Sequence, residues 1–423
     1  MRYILLTLSS LCLTAFAMAS DQVMVVHEWG TFTSLQNEAG ATLGGINADD
    51  EALPAFVKTL RRDLIANPAN KGFAYAHPDI TMRLETPVVY FHPPKNQVAP
   101  MTLDFEVQFR GGWLTQFYPD ADARAAGMMD GSKIGRLKSN TLGSLNWRAL
   151  RVGVEAPLTE TELTVWKAPR AVEAATVANP HGQAEKFLFY RGVGNLNAPL
   201  KVVRTSRGSD ELVIQPQLDP ALQSSQGLAV RTLWLAHFKA DGTCAFTELR
   251  PDNFVLNAPD ARLTIKTDFS PGAYSVENLR ALRVAMHKEL VADGLFADEA
   301  EALLKTWESS YFKSAGLRLF FLVPKPWTNY YLPLKLSVPS EIVRTMVGRL
   351  ELISPEQNAA LDHLAAATDF SDTGLDALQP DINVLGRFKT PLLADRMKTQ
   401  PTPGIKQAMN RFAMPLYLFP LNQ

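Results

Sequence analysis

The feature of this chain that most constrains its fold is an alternation of apolar and polar residues with a period of two. In Met101–Arg110 every odd position is apolar and every even position is polar, as a β-strand with one wet face requires. Many short strands with few helices between them predict an antiparallel, sandwich-like N-terminal part. Similar short runs lie at residues 23–26, 87–91, 145–152, 162–166, 186–190, 200–204, 211–214, 228–238, 244–249 and 261–267.

Helical patterns replace the alternation near Ser275. This serine can cap a helix whose apolar residues recur at three- and four-residue spacing up to Gly294, and a second amphipathic helix follows it up to Gly316. The two helices predict a helical hairpin. An earlier helix is predicted over residues 49–64, and the segment from Thr368 onward is expected to be irregular because prolines punctuate it.

These two patterns predict an α+β fold in two domains. We expect a β-rich, sandwich-like domain over residues 20–270 and an α+β domain over residues 271–423, packed as distinct layers. Within the second domain, residues 317–324 are apolar enough to form a buried strand. Ser354-Pro355-Glu356-Gln357 combines a capping residue, a proline at the first helical position and a reciprocal glutamine, and it predicts the start of a helix.

The first residues have the pattern of a secretory signal peptide. Arg2 precedes an apolar run over residues 3–16, and Ala17 and Ala19 occupy the small-residue positions of a cleavage site before Ser20. The run is shorter than the roughly 20 residues that span a bilayer, so no membrane span is expected. Residues 1–19 are therefore predicted to direct export, and the mature protein is expected to be periplasmic or secreted and soluble.

Charge and cysteine content exclude two classes of interaction. The chain has 42 Lys and Arg residues against 43 Asp and Glu residues, so it lacks the basic footprint of a nucleic-acid partner. Cys12 leaves with the signal peptide and Cys244 stays alone, so no internal disulfide is expected. The apolar neighbours of Cys244 favour a buried, unreactive thiol. The sequence leaves the oligomeric state open.

The mature N-terminus carries the run His27-Glu28-Trp29-Gly30-Thr31-Phe32-Thr33. It resembles a group of uncharacterised secreted bacterial proteins that begin with the same residues. The resemblance implies an exported protein and assigns no activity, cofactor or catalytic residue. Further similar segments lie at residues 84–91, 111–119, 186–194 and 322–327.

Two histidines and one glutamate are the candidate metal ligands. His27, Glu85 and His92 each flank a strand end, and two histidines with a carboxylate suffice for a catalytic zinc ion. The seven histidines of the chain include no helical His-Glu-x-x-His pair. A divalent metal ion is therefore a candidate cofactor. The alternative is that these residues are hydrogen-bonded structural groups.

Aromatic residues and one arginine are the candidate ligand-binding residues. Tyr190 and Arg191 precede a glycine-rich turn and would suit a sugar or a carboxylate. Trp113, which follows a glycine pair, and Trp327 and Tyr330, which lie in a predicted loop, would suit a glycan face if they are exposed. The alternative is that they are core residues.

These observations favour one functional class and leave a second open. The first is an exported, soluble protein that binds or processes a small molecule or a glycan on the envelope side. The second is a metal- or carboxylate-dependent hydrolase of envelope or extracellular polymer, with His27, Glu85 and His92 around a metal ion or two acids as the catalytic pair.

Overall fold

The computed structural model describes residues 23–48, 52–61, 75–130, 133–267 and 269–415, so the predicted signal peptide lies outside the described residues. The strands are β1 (Met24–Gln36), β2 (Lys58–Thr59), β3 (Met82–Leu84), β4 (Val88–His92), β5 (Met101–Arg110), β6 (Gly112–Tyr118), β7 (Asp122–Ala125), β8 (Met129–Asp130), β9 (Lys133–Ile134), β10 (Leu142–Val152), β11 (Val177–Ala178), β12 (Ala184–Glu185), β13 (Leu188–Gly194), β14 (Leu200–Arg204), β15 (Glu211–Pro216), β16 (Leu233–Phe238), β17 (Cys244–Leu249), β18 (Leu263–Lys266), β19 (Gly316–Leu322), β20 (Leu334–Leu336) and β21 (Ser340–Leu352). The α-helices are α1 (Thr164–Arg170), α2 (Val276–Ala292), α3 (Ala297–Thr306), α4 (Lys325–Tyr331), α5 (Pro355–Ala366), α6 (Asp372–Asp376), α7 (Gln379–Leu385), α8 (Lys389–Thr399) and α9 (Pro403–Phe412).

The predicted α+β class is confirmed, with a β-rich N-terminal part and helices concentrated after residue 275. Sixteen of the described strands belong to one sheet, whose main path runs β12-β11-β10-β6-β13-β3-β1-β21-β19-β16-β17. A three-stranded sheet, β14-β15-β18, and the short pair β8-β9 complete the described strands. The strand with perfect alternation, β5, pairs antiparallel with β10.

The N- and C-terminal parts meet in the centre of the large sheet. β1 pairs in parallel with β21 in unbroken register, from Met24 opposite Ser340 to Gln36 opposite Leu352. The prediction that the two parts pack as distinct layers is therefore wrong. The change of periodicity near Ser275 does mark the start of the helical hairpin, but β19 and β21 pair with strands of the N-terminal part in one sheet.

The two faces of the central strands pack against different cores. On one face Val26 and Phe32 of β1 join Phe105 of β5 and Trp147 of β10 in a core between sheet segments. On the other face Trp29 joins side chains of α2 and α3 in a second core. This division follows from the alternation of side chains along a strand, and it accounts for the burial of nearly every residue of β1.

The helical hairpin forms as predicted, and its cap is the predicted one. Ser275 accepts a hydrogen bond from the backbone N–H of Asn278 at the start of α2, and Gly294 has a φ of 122° between the helices. Ser354 and Gln357 form the predicted capping box of α5, with Pro355 at its first position.

Other predicted elements are wrong. Residues 164–170 form α1 where a strand was expected, and residues 325–331 form α4 where a loop was expected. The described residues 52–61 contain a turn and β2 instead of a helix. The segment after Thr368 contains α6 to α9, which pack with α5 and the end of β1 in a third core.

Among the described residues, no helix combines the length and the apolar character needed to cross a membrane.

Candidate functional site

His27 and His92, the two predicted histidine ligands, lie next to each other on one sheet face. In the antiparallel pairing of β1 and β4, His92 is opposite Val25 and His27 is opposite Tyr90. The histidines are thus diagonal neighbours on the same face, with ring centroids 5.1 Å apart. Strand pairing alone brings them together, because both side chains point to the face that α2 and α3 cover.

The carboxylate that joins them is Glu299, in the first turn of α3. Its Oε2 atom lies 2.6 Å from Nδ1 of His27, and its Oε1 atom lies 3.0 Å from Nε2 of His92. Oε2 also accepts the backbone N–H of Phe296 at 2.8 Å, which fixes the carboxylate against the helix terminus. The donor atoms of the three side chains lie within 4.8 Å of one another.

This histidine cluster, defined as His27, His92 and Glu299, is largely shielded from solvent. Glu299 is fully buried, the His27 side chain is 3% exposed and the His92 side chain is 16% exposed. The ring of Phe296 packs on both imidazoles, at centroid distances of 4.5 and 4.9 Å. Burial raises the pKa of Glu299, but the hydrogen bonds of His27 and His92 outweigh it and lower the pKa below its usual value.

Glu85, the third predicted ligand, is paired with arginines instead. Its Oε1 atom lies 3.5 Å from Nε of Arg83 and 3.4 Å from Nη2 of Arg387. Burial alone would raise the pKa of Glu85, but these two arginines outweigh burial and lower it to about 2. Its predicted role beside the histidines is wrong, because Glu299 holds that position.

Glu85 belongs to a row of charged side chains across the sheet. Thr33 of β1 is opposite Arg83 on one neighbouring strand and Arg349 on the other. Residues in register share a face, so both guanidinium groups leave the sheet on the same side. One pair further along, Arg318 of β19 is opposite Glu351 of β21 and donates to it from Nε at 2.7 Å.

Arg318 serves as a structural clamp. Its Nη1 atom donates to the carbonyls of Tyr311 and Ser314, both at 2.8 Å, and Nη2 donates to the hydroxyl of Ser314 at 2.7 Å. These bonds fix the segment that connects α3 to β19. Burial lowers the pKa of Arg318 to about 10, although Glu351 raises it in part.

Arg349 has one donor that the described part of the chain leaves without a hydrogen bond. Its Nε and Nη2 atoms contact Glu351, and its guanidinium lies 4.4 Å from the centre of the Tyr311 ring. Its Nη1 atom has no hydrogen-bond partner among the described residues, although the side chain is only 1% exposed. A buried charged donor in this state is costly unless a ligand or water accepts from it.

Arg349 lies at the buried side of a cavity of about 490 Å³, which we call the arginine cavity. Arg318 and Arg387 line it with Arg349, and apolar walls come from residues at the end of β16 and around the turn after α7. The volume and the mixture of apolar walls with a few convergent polar groups are typical of a small-molecule site. Val384, which is 45% exposed, lies at its rim. The apolar wall residues include Phe238, Leu385 and Phe388.

Two carboxylates also line the arginine cavity, and both have cationic or donor partners. Glu351 is held by Arg318 and Arg349. Glu356, in the first turn of α5, lies 3.3 Å from Nε2 of His237, and this contact is the main reason that its pKa falls to about 2. Their negative charges are thus already engaged within the protein.

Tyr190 and Arg191 do not form the predicted joint grip. As consecutive residues of β13 they point to opposite faces. Tyr190 is fully buried, and its hydroxyl donates to Glu28, which Arg344 also contacts at 2.6 Å. Arg191 is 3% exposed and donates to the carbonyl of Glu85 at 3.0 Å, so it belongs with the buried arginines.

The predicted aromatic surface is wrong for both tryptophans. Trp113 is fully buried and donates to the carbonyl of Ala126, and Trp327 is 2% exposed and packs on Phe32 at 5.2 Å. Tyr330 is partly exposed, with Arg110 above its ring at 5.4 Å. The tryptophans face inward because β6 and α4 are covered on those sides.

Cys244 is buried as expected, and burial raises its pKa to about 11.

Sequence reasoning missed Glu299 and the three arginines that line the arginine cavity. Glu299 follows Asp298 in an ordinary acidic first turn, which a helix dipole explains without any site. Arg349 and Glu351 carried a usable signal, since two charged residues that alternate with apolar residues at the end of β21 indicate a polar patch on one face. A comparison with protein-family models and with curated proteins finds no match for this chain.

Proposed function

We propose that this protein is an exported binding protein whose arginine cavity holds a small organic acid with an apolar body. The observation that carries the proposal is Nη1 of Arg349, a buried charged donor without a described partner at the edge of a 490 Å³ cavity. A guanidinium donates strongly and directionally to carboxylate and phosphate groups. An acid head placed there would complete the hydrogen bonds of Arg349.

The surroundings of Arg349 also favour an anion. Burial lowers the pKa of Arg318 to about 10, and repulsion from Arg349 and Arg387 contributes to the lowering. A negative charge that enters the cavity would relieve this repulsion. Such an interaction is strong in a site that excludes water, because screening by solvent is weak there.

The apolar walls indicate the rest of the ligand. Phe238, Leu385 and Phe388 line the cavity, and both phenylalanine rings lie beside its guanidinium groups. Burial of an apolar chain or ring against them contributes roughly 25 cal/mol per Å² of apolar surface removed from water. The preferred ligand is therefore an amphipathic acid, and free phosphate should bind more weakly because it leaves the walls unfilled.

The binding role is preferred over the hydrolase because the two sites do not coincide. The residues that line the arginine cavity include neither histidine of the histidine cluster nor Glu299. A metal ion held by that cluster would thus act on a different part of the molecule from the ligand in the cavity. Export also remains a proposal, which intact-mass measurement of the protein from periplasm or medium would test by an N-terminus at Ser20.

Calorimetric titration with three probes tests the ligand class: octanoate, 1-octanol and inorganic phosphate. We expect octanoate to bind at least about tenfold more tightly than 1-octanol, which shares the chain but lacks the charge. Arg349→Met should weaken octanoate binding by at least about tenfold, the loss of one charge-assisted hydrogen bond. Equal affinities for octanoate and 1-octanol, or no binding of either, would contradict the proposal.

A matched pair of variants at the cavity rim tests the proposal independently, in case the Arg349 variant does not fold. Val384 is exposed, so Val384→Glu and Val384→Lys differ mainly in the charge placed at the cavity mouth. We expect the glutamate variant to bind octanoate about threefold or more weakly than the lysine variant, and 1-octanol equally. Identical octanoate affinities in the two variants would argue that the ligand does not enter at this rim.

A further inference from the structure

We propose that His27, His92 and Glu299 bind one divalent transition-metal ion, with Zn²⁺ as the best fit. The site is separate from the arginine cavity and does not depend on the proposed ligand. It gathers two imidazoles and one carboxylate from three elements, β1, β4 and α3. This is a donor set that zinc uses with three protein ligands and a fourth position for water or substrate.

The distances between donor atoms are compatible with an ion. Glu299 lies 2.6 Å from Nδ1 of His27 and 3.0 Å from Nε2 of His92. Bonds of about 2.0–2.1 Å in a tetrahedral site place ligand atoms roughly 3.3 Å apart. Small side-chain movements would thus open room for an ion between the three groups, which would replace the two His–Glu hydrogen bonds.

The supports of the site are those that a metal centre needs. Glu299 is held by the backbone N–H of Phe296, and the Phe296 ring packs on both imidazoles. Such outer contacts fix the orientation of ligands and raise the affinity for the metal. The partial exposure of His92, at 16% of its side chain, gives an ion access from solvent.

The choice of zinc follows from ligand chemistry. Imidazole nitrogen with one carboxylate suits zinc, copper, iron and nickel, whereas calcium and magnesium prefer sites built from oxygen alone. A site with one carboxylate oxygen donor group and two nitrogens therefore discriminates against the alkaline-earth ions. Among the transition metals, zinc readily accepts a tetrahedral set of nitrogen and oxygen ligands.

A metal in this position would join the helical hairpin to the sheet. Glu299 belongs to α3, while His27 and His92 belong to paired strands. An ion that bridges them binds the folded arrangement and not the unfolded chain, so it should stabilise the protein according to its concentration relative to Kd. This gives the proposal a readout that does not depend on any activity.

The test uses the full mature chain, stripped with a chelator, reloaded with zinc chloride and dialysed. Elemental analysis gives the stoichiometry, and competition with a chromophoric chelator gives the affinity. His92→Ala is the main variant because His92 is partly exposed and its loss should be tolerated. His363→Ala is the matched control, since His363 also contacts a carboxylate at 2.6 Å, that of Asp381, but its side chain is 67% exposed.

We expect the wild type and His363→Ala to bind one zinc ion per chain and to gain in melting temperature on loading. His92→Ala should bind zinc at least about tenfold more weakly and show a smaller gain. Cobalt substitution provides a second measurement, because the visible absorption of a tetrahedral Co²⁺ site should be strong in wild type and lost in His92→Ala. Absence of stoichiometric zinc in the wild type, or equal zinc affinity in His92→Ala and wild type, would overturn the proposal.

Discussion

Glu85 is fully surrounded by protein, and its charge is held by arginines on several elements. Its pKa is lowered to about 2 because Arg387 and Arg83 outweigh the effect of burial. In the unfolded chain the same carboxyl titrates near its ordinary value of 4.5. The Glu85 carboxylate therefore raises the free energy of unfolding at any pH where it is ionised in both the folded and the unfolded state, which is above about pH 4.5.

We predict that this contribution is lost as the pH falls from about 4.5 to about 2, since protons then bind the unfolded chain more tightly than the folded one. Lowering of the pKa from 4.5 to about 2 corresponds to roughly 3 kcal/mol at most. Urea unfolding of wild type and Glu85→Gln checks this. The variant should be less stable at neutral pH, and the difference in free energy of unfolding between the two proteins should shrink towards pH 2. A difference that does not depend on pH would contradict the role of the charge.

At the same residue scale, the sequence identified two members of the histidine cluster and none of the residues that line the arginine cavity. His27 and His92 stood out because histidines at strand ends need a partner when buried. Their partner Glu299 lies 207 residues beyond His92 in the chain. A contact over that distance depends on where α3 docks, and no local pattern encodes it.

Among the elements, those with strong local signals were predicted correctly. The caps at Ser275 and Ser354 precede long or well-bounded helices, and both form as the sequence indicates. The short helices α1 and α4, seven residues each, were missed. Segments of that length carry too few turns for periodicity to distinguish a helix from a strand, so packing decides their type.

Loss of the capping box at α5 should have a measurable cost. Ser354 is 2% exposed, and its hydroxyl accepts a hydrogen bond from the backbone N–H of Gln357 at 3.2 Å. In return the backbone N–H of Ser354 donates to Oε1 of Gln357 at 3.1 Å. We predict that Ser354→Ala lowers the free energy of unfolding by about 1 kcal/mol, within a range of roughly 0.5–2 kcal/mol. Chemical denaturation measures it.

Ser371→Ala is the comparison, because Ser371 caps the five-residue helix α6 at the surface and makes one cap bond, to Gly374. Its cost should be smaller than that of Ser354→Ala. If the two substitutions cost the same free energy of unfolding, the burial of the Ser354 cap contributes nothing measurable.

At the scale of the whole molecule, the parallel pairing of β1 with β21 determines how the chain can be divided. Every residue from Met24 to Gln36 is opposite a residue between Ser340 and Leu352. The alternation of apolar residues reveals that both segments can be strands, but it does not reveal which strands become neighbours. Parallel strands also require a connection that crosses the fold, and here that connection is most of the chain.

The pairing predicts that residues 20–270 do not fold alone. Without β21 and β19, the inner edge of β1 and the row that contains Arg83 and Glu85 would face solvent with their hydrogen bonds unmade. We expect the isolated fragment to lack a cooperative urea transition, whereas the full mature chain should unfold cooperatively. Co-expression with residues 271–423 is the control and should restore the transition, because it supplies the missing strands without a covalent link. A fragment of residues 20–270 that unfolds cooperatively by itself would show instead that the N-terminal strands form an independent unit, and that the parallel pairing adds a second unit to one already stable.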